Sequence, residues 1–338
     1  MAEWLNAALS KSVVAARSSW VRIPPSPLSK TDEGRTTKDE RPNVLRPSSF
    51  VKMFQTLLSS SDLAPHLADP NWAIVDCRFD LAQTAKGERL YREAHLPGAV
   101  YAHLDRDLSG PKTGTNGRHP LPDMDEFKAR LGHWGIGAGG QVVVYDQDNG
   151  MYASRLWWML RYLGHAAVAV LDGGMAKWTS EGRPVRAGDE QRQPATFEGS
   201  PHFEMLLSLD EVERLRLDSV HTLIDARAPE RYRGEVETLD PVAGHIPGAI
   251  NDFYKNNVQP DGTFLDPETL RGRLQALLGN RSPQNTAAYC GSGVTACHTL
   301  LALEHAGLMG AKLYAGSWSE WCADPQRPIA RGEERPKE

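Results

Sequence analysis

Ile74-Val75-Asp76-Cys77-Arg78, followed by Ala94-His95-Leu96-Pro97-Gly98-Ala99, returns as Leu223-Ile224-Asp225-Ala226-Arg227, followed by Gly244-His245-Ile246-Pro247-Gly248-Ala249. The Asp-to-His spacing is 19 residues in the first copy and 20 in the second. Farther along, Val142 to Asp146 answers to Thr286 to Cys290. Leu171-Asp172-Gly173-Gly174 with Trp178 answers to Tyr314-Ala315-Gly316-Ser317 with Trp321. Tyr145 to Trp178 is 33 residues and Tyr289 to Trp321 is 32. Ordered matches at matching intervals are the mark of an internal duplication.

Each copy reads as short strands alternating with helices. Trp72 to Cys77 and Gln141 to Tyr145 are apolar runs bounded by Asp or Gly, as buried parallel strands are. Leu156, Trp157, Leu160 and Leu163 then recur at helical spacing, and Val294, Cys297, Leu300 and Leu301 do so in the second copy. Strand, helix, strand in this order predicts an α/β fold, with an open, mostly parallel sheet and helices on both faces of each domain. Glu181 to Pro201 is rich in Gly, Pro, Arg and Gln and reads as a linker. The expected divisions are a leader at 1–50, a first domain at 51–180, a linker at 181–205, a second domain at 206–325 and a charged tail at 326–338.

The 338 residues suffice for two ordinary domains. A chain with 40% hydrophobic and 24% charged residues is of globular type. Its formal net charge of -5 supplies no basic field, so nucleic acid is not an expected partner. No apolar run of about 18 residues is present, so no membrane span or membrane partner is expected. The four cysteines, Cys77, Cys290, Cys297 and Cys322, form no CxxC pair, which speaks against a zinc site or a disulfide framework and fits a reducing, cytoplasmic setting.

Residues Met1 to Ser49 show no sustained period, and Ile23 to Pro47 collects five prolines. The apolar stretch Val13 to Ala16 is too short for a secretory signal, and Glu3 speaks against a transit peptide. The tracts Glu3 to Ala7 and Trp20 to Pro24 can be encoded by DNA resembling the D-arm and T-arm of a serine transfer-RNA gene. The expectation is a mis-assigned extension of the reading frame, with the protein starting near Met53.

A duplication carries its own control: what both copies keep serves the fold, and what one copy alone holds is a candidate for chemistry. On that basis the HxPGA turns, with His95 and His245, are structural, and so are the DGG and AGS turns. Cys290 does not repeat; its counterpart is Asp146. It opens Cys290-Gly291-Ser292-Gly293-Val294-Thr295 between a strand end and a helix start, the place where open α/β sheets bind ligands. Backbone N–H groups of a tight loop entering a helix form an anion-binding nest, suited to a thiolate or persulfide. Gly291 and Gly293 suit such a loop, and Ser292 and Thr295 add hydroxyls. The plainer reading is a buried structural cysteine, which Cys77, Cys297 and Cys322 keep.

On these motifs the chain resembles the tandem-domain rhodaneses, the thiosulfate and 3-mercaptopyruvate sulfurtransferases, over about residues 53 to 325. The resemblance implies a silent first domain and a second domain whose six-residue loop cradles a persulfide on Cys290. The neutral loop is similar to the mercaptopyruvate version, with Gly291, Gly293 and Val294 shaping the donor site. The resemblance also implies two arginines clamping the donor. The first falls on Arg231, but the second falls on Asp240, an acid. Arg233, or Arg118 in the Gly-rich loop Gly110 to Pro122, could compensate; otherwise Arg118 is a solvated loop charge. A first-domain histidine is implied in proton transfer with serine, and His95 matches that position, with no acidic partner placed.

The implied chemistry is attack by Cys290 on the donor sulfur, release of pyruvate or sulfite, and transfer of the outer sulfur to a thiol, cyanide or thioredoxin-like acceptor. It calls for no metal or organic cofactor. A cysteine phosphatase would need an arginine within the loop, and Gly291 to Ala296 has none. The same loop would also serve a non-catalytic persulfide carrier, and a structural protein with an inert Cys290 is the blandest possibility.

Overall fold

The computed structural model describes residues 53–334, so the leader and its proposed start lie outside the described residues apart from Met53 itself. Among the described residues, nine strands form two sheets. The first contains β1 (Leu57–Leu58), β2 (Trp72–Asp76), β3 (Ala99–Tyr101), β4 (Gln141–Tyr145) and β5 (Val168–Leu171), in the order β1-β5-β4-β2-β3. The second contains β6 (Thr222–Asp225), β7 (Ala249–Asn251), β8 (Thr286–Tyr289) and β9 (Lys312–Leu313), in the order β7-β6-β8-β9. Every pairing between these strands is parallel. The second order repeats the first with the β1 edge strand missing. A single bridge from Leu206 to Leu313 stands in its place.

The duplicated residues build the same scaffold twice. Asp76 faces Tyr145 in register, and Asp225 faces Tyr289. Arg78 is held by Asp76 at 2.6 Å, and Arg227 by Asp225 at 2.6 Å, each pair buried. His95 Nδ1 meets the Tyr91 carbonyl at 2.7 Å, and His245 Nδ1 meets that of Tyr232 at 2.7 Å. Both rings stack on those tyrosines. Two histidines doing the same thing in both copies are parts of the fold.

Strand periodicity divides the core. In β4, Val142 and Val144 join one apolar cluster, whereas Val143 and Tyr145 join another. In β8, Ala288 points with Cys290 to the first cluster, and Ala287 with Tyr289 to a third. The first cluster is common to both domains. In it the helices Ala153–Tyr162 and Thr295–His305 pack together, burying Trp157, Leu160, Leu300 and Leu301. Each such side chain contributes roughly 1.5–3 kcal/mol of burial free energy. Because parity after β4 and β8 is the same, Asp146 and Cys290 both face this shared region.

The segment between the domains is not a free tether. Its Arg186 pairs antiparallel with His95, and its Ala195 amide donates to Gly132 O at 2.8 Å. The tail repeats the arrangement, with Ala330 against His245.

Candidate active site at the domain boundary

Cys290 follows β8 directly, and the helix beginning at Thr295 follows its loop. Gly293 turns the chain at φ +76°, and a Cβ there would lie 2.3 Å from Ala315 O, so no other residue fits. The AGS turn supports the loop from beside it. Ser317 Oγ accepts from the Cys290 amide at 3.1 Å and donates to Tyr314 O at 2.9 Å. Ser317 holds φ +55°, a left-handed conformation costly for a non-glycine residue. The matching residue of the first copy is Gly174, at φ +54°.

Cys290 and Ser292 lie in the wall of a cavity of about 250 Å³ that also takes Gly291, Val294 and Thr295 from the loop. The second domain adds Arg231, Leu239 and Phe253, and the first adds Leu81, Arg118, His119 and Met151. Among the described cysteines only Cys290 reaches this cavity. Burial pushes the thiol pKa of Cys77 far up, that of Cys297 to about 12 and that of Cys322 to about 11. Those three stay protonated and inert at neutral pH.

Two guanidiniums stand over the loop. A Cβ on Gly291 would lie 2.7 Å from Arg118 Nη2 and 3.5 Å from Arg231 Nη1. Asp240 bridges the two arginines, pairing with Arg118 and meeting Arg231 Nη2 at 3.2 Å. Glu237 holds Arg231 from behind at 2.8 Å. Burial raises the Asp240 pKa, against the pull of Arg118. Asp240 therefore does not simply replace a cation; it joins Arg118 of one domain to Arg231 of the other.

His119 is buried, with Nδ1 at 2.7 Å from Ser292 Oγ and Nε2 at 3.4 Å from Asp105 Oδ1. Burial pushes the His119 pKa down to about 3, and Arg155 pushes it the same way. Asp105 pulls in the opposite direction without reversing the shift, so the ring is neutral at neutral pH. A neutral ring carrying its proton on Nε2, toward Asp105, leaves Nδ1 to accept from the Ser292 hydroxyl. Serine, imidazole and carboxylate thus form a line that can carry a proton to or from the space beside Cys290.

Two expected site residues lie elsewhere. His95 is held between Tyr91 and Glu190 and does not line the cavity, so the histidine at Ser292 is His119 and not His95. Arg233 pairs with Glu235 at 2.8 Å and with Glu333 at 3.2 Å on the surface, so it cannot supply the second clamp. Gly293 shapes the loop rather than lining the cavity. His119 and Asp105 escape a reading of the sequence because neither lies in a repeated motif. The available signal is the long loop Gly110 to Pro122, which already holds Arg118.

A family model described as Rhodanese-like domain matches residues 59–181 and again 208–324. The chain is 47% identical to the probable 3-mercaptopyruvate sulfurtransferase of Pseudomonas aeruginosa, over 82% of this chain and 98% of that one. It is 33% identical to the thiosulfate sulfurtransferase of Rattus norvegicus, over 83% and 97% of the two chains. Among solved structures, the 3-mercaptopyruvate sulfurtransferase from Leishmania major matches with a TM-score of 0.70 and 31% identity, over 79% of this chain and 74% of that one. With the domain matched twice, and with the two sheets built to one plan, the chain belongs to the rhodanese family of sulfurtransferases as two rhodanese-like domains in tandem.

Proposed function

We propose that the chain takes sulfur from 3-mercaptopyruvate onto Cys290 as a persulfide and passes it to a thiol, cyanide or thioredoxin-like acceptor. The observation that carries this reading is the line from Ser292 through His119 to Asp105 beside Cys290. The Cys290 thiolate attacks the donor sulfur, an S–S bond forms and the C–S bond breaks. The electron pair leaves on the three-carbon fragment as an enolate, which one proton converts to pyruvate. Ser292 and neutral His119 take up the proton released when the thiols react and return it to that fragment. Thiosulfate needs no such step, because sulfite leaves without a proton.

Arg118 and Arg231 face the donor from opposite domains and suit its carboxylate and carbonyl oxygens. Val294, Leu239 and Phe253 pack the carbon chain, and Thr295 closes the loop end. Residues 51–180 are then a silent domain and residues 206–325 the catalytic one. A cytoplasmic setting is supported by four free, buried cysteines. No described helix is long and apolar enough to cross a membrane.

A thiosulfate reading is favoured by one feature, the two adjacent guanidiniums, which suit a dianion. Turnover with each donor on one preparation decides between them. We expect kcat/KM for mercaptopyruvate to exceed that for thiosulfate by about tenfold or more. The reverse order would give the site to thiosulfate. Cys290→Ser is expected to stop transfer from both donors, and a variant that still transferred sulfur would refute the persulfide.

A further inference from the structure

Arg155 lies in the first turn of the helix Ala153–Tyr162, in the silent domain, with its side chain fully buried. Its Nη1 donates to Gly293 O at 3.0 Å, inside the catalytic loop. Its Nη2 donates to His119 O at 3.0 Å and to Leu108 O at 3.4 Å. Nε has no partner. All three acceptors are neutral carbonyls, and no carboxylate among the described residues pairs with this guanidinium.

The other buried arginines show how unusual that is. Arg78 and Arg227 are each chelated by the aspartate two residues before them, at the end of the preceding strand. A guanidinium keeps its proton in a protein, so an unmatched one in the interior is an uncompensated charge. Burial lowers the Arg155 pKa, and the charges that oppose this are the sulfurs of Cys297 and Cys290. Cys297 is held as a thiol, with Sγ donating to Gly293 O at 3.3 Å. With Cys297 kept as a thiol, no anion among the described residues answers Arg155, and the group it holds through Gly293 O is the loop that carries Cys290. The repeat strengthens the point: nine residues after Asp146 comes Arg155, whereas nine after Cys290 comes Thr299.

We propose that Arg155 is a positioning residue of sulfur transfer, by which the silent domain braces the Cys290 loop against the His119 segment and supplies the buried positive charge that a sulfur anion on Cys290 requires. The proposal rests on His119 and Ser292 acting in the reaction. It has a consequence for His119, whose ring meets Ser292 and Asp105 and feels the positive charges of Arg155, Lys112 and Arg118. After burial, Arg155 contributes most to keeping that ring neutral.

Arg155→Met and Arg155→Lys, in the full chain, separate the two roles. NMR titration of the His119 C2 proton reads the charge without turnover. In Arg155→Met its midpoint is expected to rise by about one pH unit or more, although burial still holds it below the ordinary value of about 6.5. Mercaptopyruvate kcat should fall by about 100-fold, with KM within about threefold because Arg118 and Arg231 remain. Arg155→Lys keeps the charge but cannot reach both carbonyls, so its midpoint should move by less than about half a unit while kcat falls about tenfold. A folded Arg155→Met with unchanged midpoint and kcat overturns the proposal. If that variant does not fold, wild-type kcat in Arg155→Lys overturns it instead. His119→Gln is the separate control: full activity there refutes the relay, while a shifted midpoint in Arg155→Met still establishes the charge.

Discussion

The loop after β4 and the loop after β8 start from equivalent positions and place different side chains there. In the first loop Asp146 turns its carboxylate back into the chain. Its Oδ1 accepts from the amides of Asp148 at 3.2 Å and Gly150 at 3.0 Å, and its Oδ2 from those of Tyr152 at 2.8 Å and Ala153 at 3.1 Å. Four backbone donors on one anion define a nest. Burial raises the Asp146 pKa, and the amides of Ala153, Tyr152 and Gly150 resist it. In the other loop the equivalent residue is Cys290, and its wall of the cavity is completed by Arg118 and His119 from the first domain. The fold thus supplies an anion cradle at the first position, and the proposed function gives the second position the same use. The first copy fills it with its own carboxylate, and in the function proposed above the second leaves the position to sulfur chemistry.

The sharpest way to break this comparison is Cys290→Asp, which writes the first copy's residue into the second loop. Transfer is expected to fall by about 10⁴-fold or more, to background, because no nucleophile remains. The circular dichroism spectrum should be unchanged, since an aspartate suits the nest; a misfolded variant would show that the two loops are not equivalent cradles.

His119→Gln tests whether the first domain takes part in the chemistry or only covers it. Mercaptopyruvate turnover should drop by about 10²–10³-fold, whereas thiosulfate turnover, which needs no proton relay, should drop by less than about tenfold. Equal losses with both donors would leave His119 a packing role.

Asp146→Ala addresses the silent side. It removes an acceptor from four buried amides, and urea unfolding should show a loss of about 2–3 kcal/mol. Activity per folded molecule should hardly change. Stability equal to the parent would mean that the amides find other partners and that the carboxylate is not what fills the silent nest.

Much of this is legible in the chain because duplication compares the protein with itself. The strands β2 and β4 are apolar runs with clear ends, and Cys290 stands out against Asp146. The same comparison marks His95 as structural. A motif likeness draws it toward catalysis, and the matched pairs His95–Tyr91 and His245–Tyr232 return it to the fold. His119 and Asp105 are not legible because nothing periodic places them. The contact of His119 with Ser292 is made by folding across 173 residues of separation. Asp240 misleads for a related reason. Read alone it is a lost cation, but beside Arg118 it is the acid between two cations brought from different domains.

The apolar cluster common to both halves also bears on how the molecule unfolds. Trp157 and Leu160 of one half share it with Leu300 and Leu301 of the other. Neither half can be released without wetting the interior of its neighbour, so the two should melt in a single cooperative transition. Duplicated domains usually remain separable modules. Here the copies are mutually dependent, and the one that carries Asp146 in place of a cysteine cannot be shed.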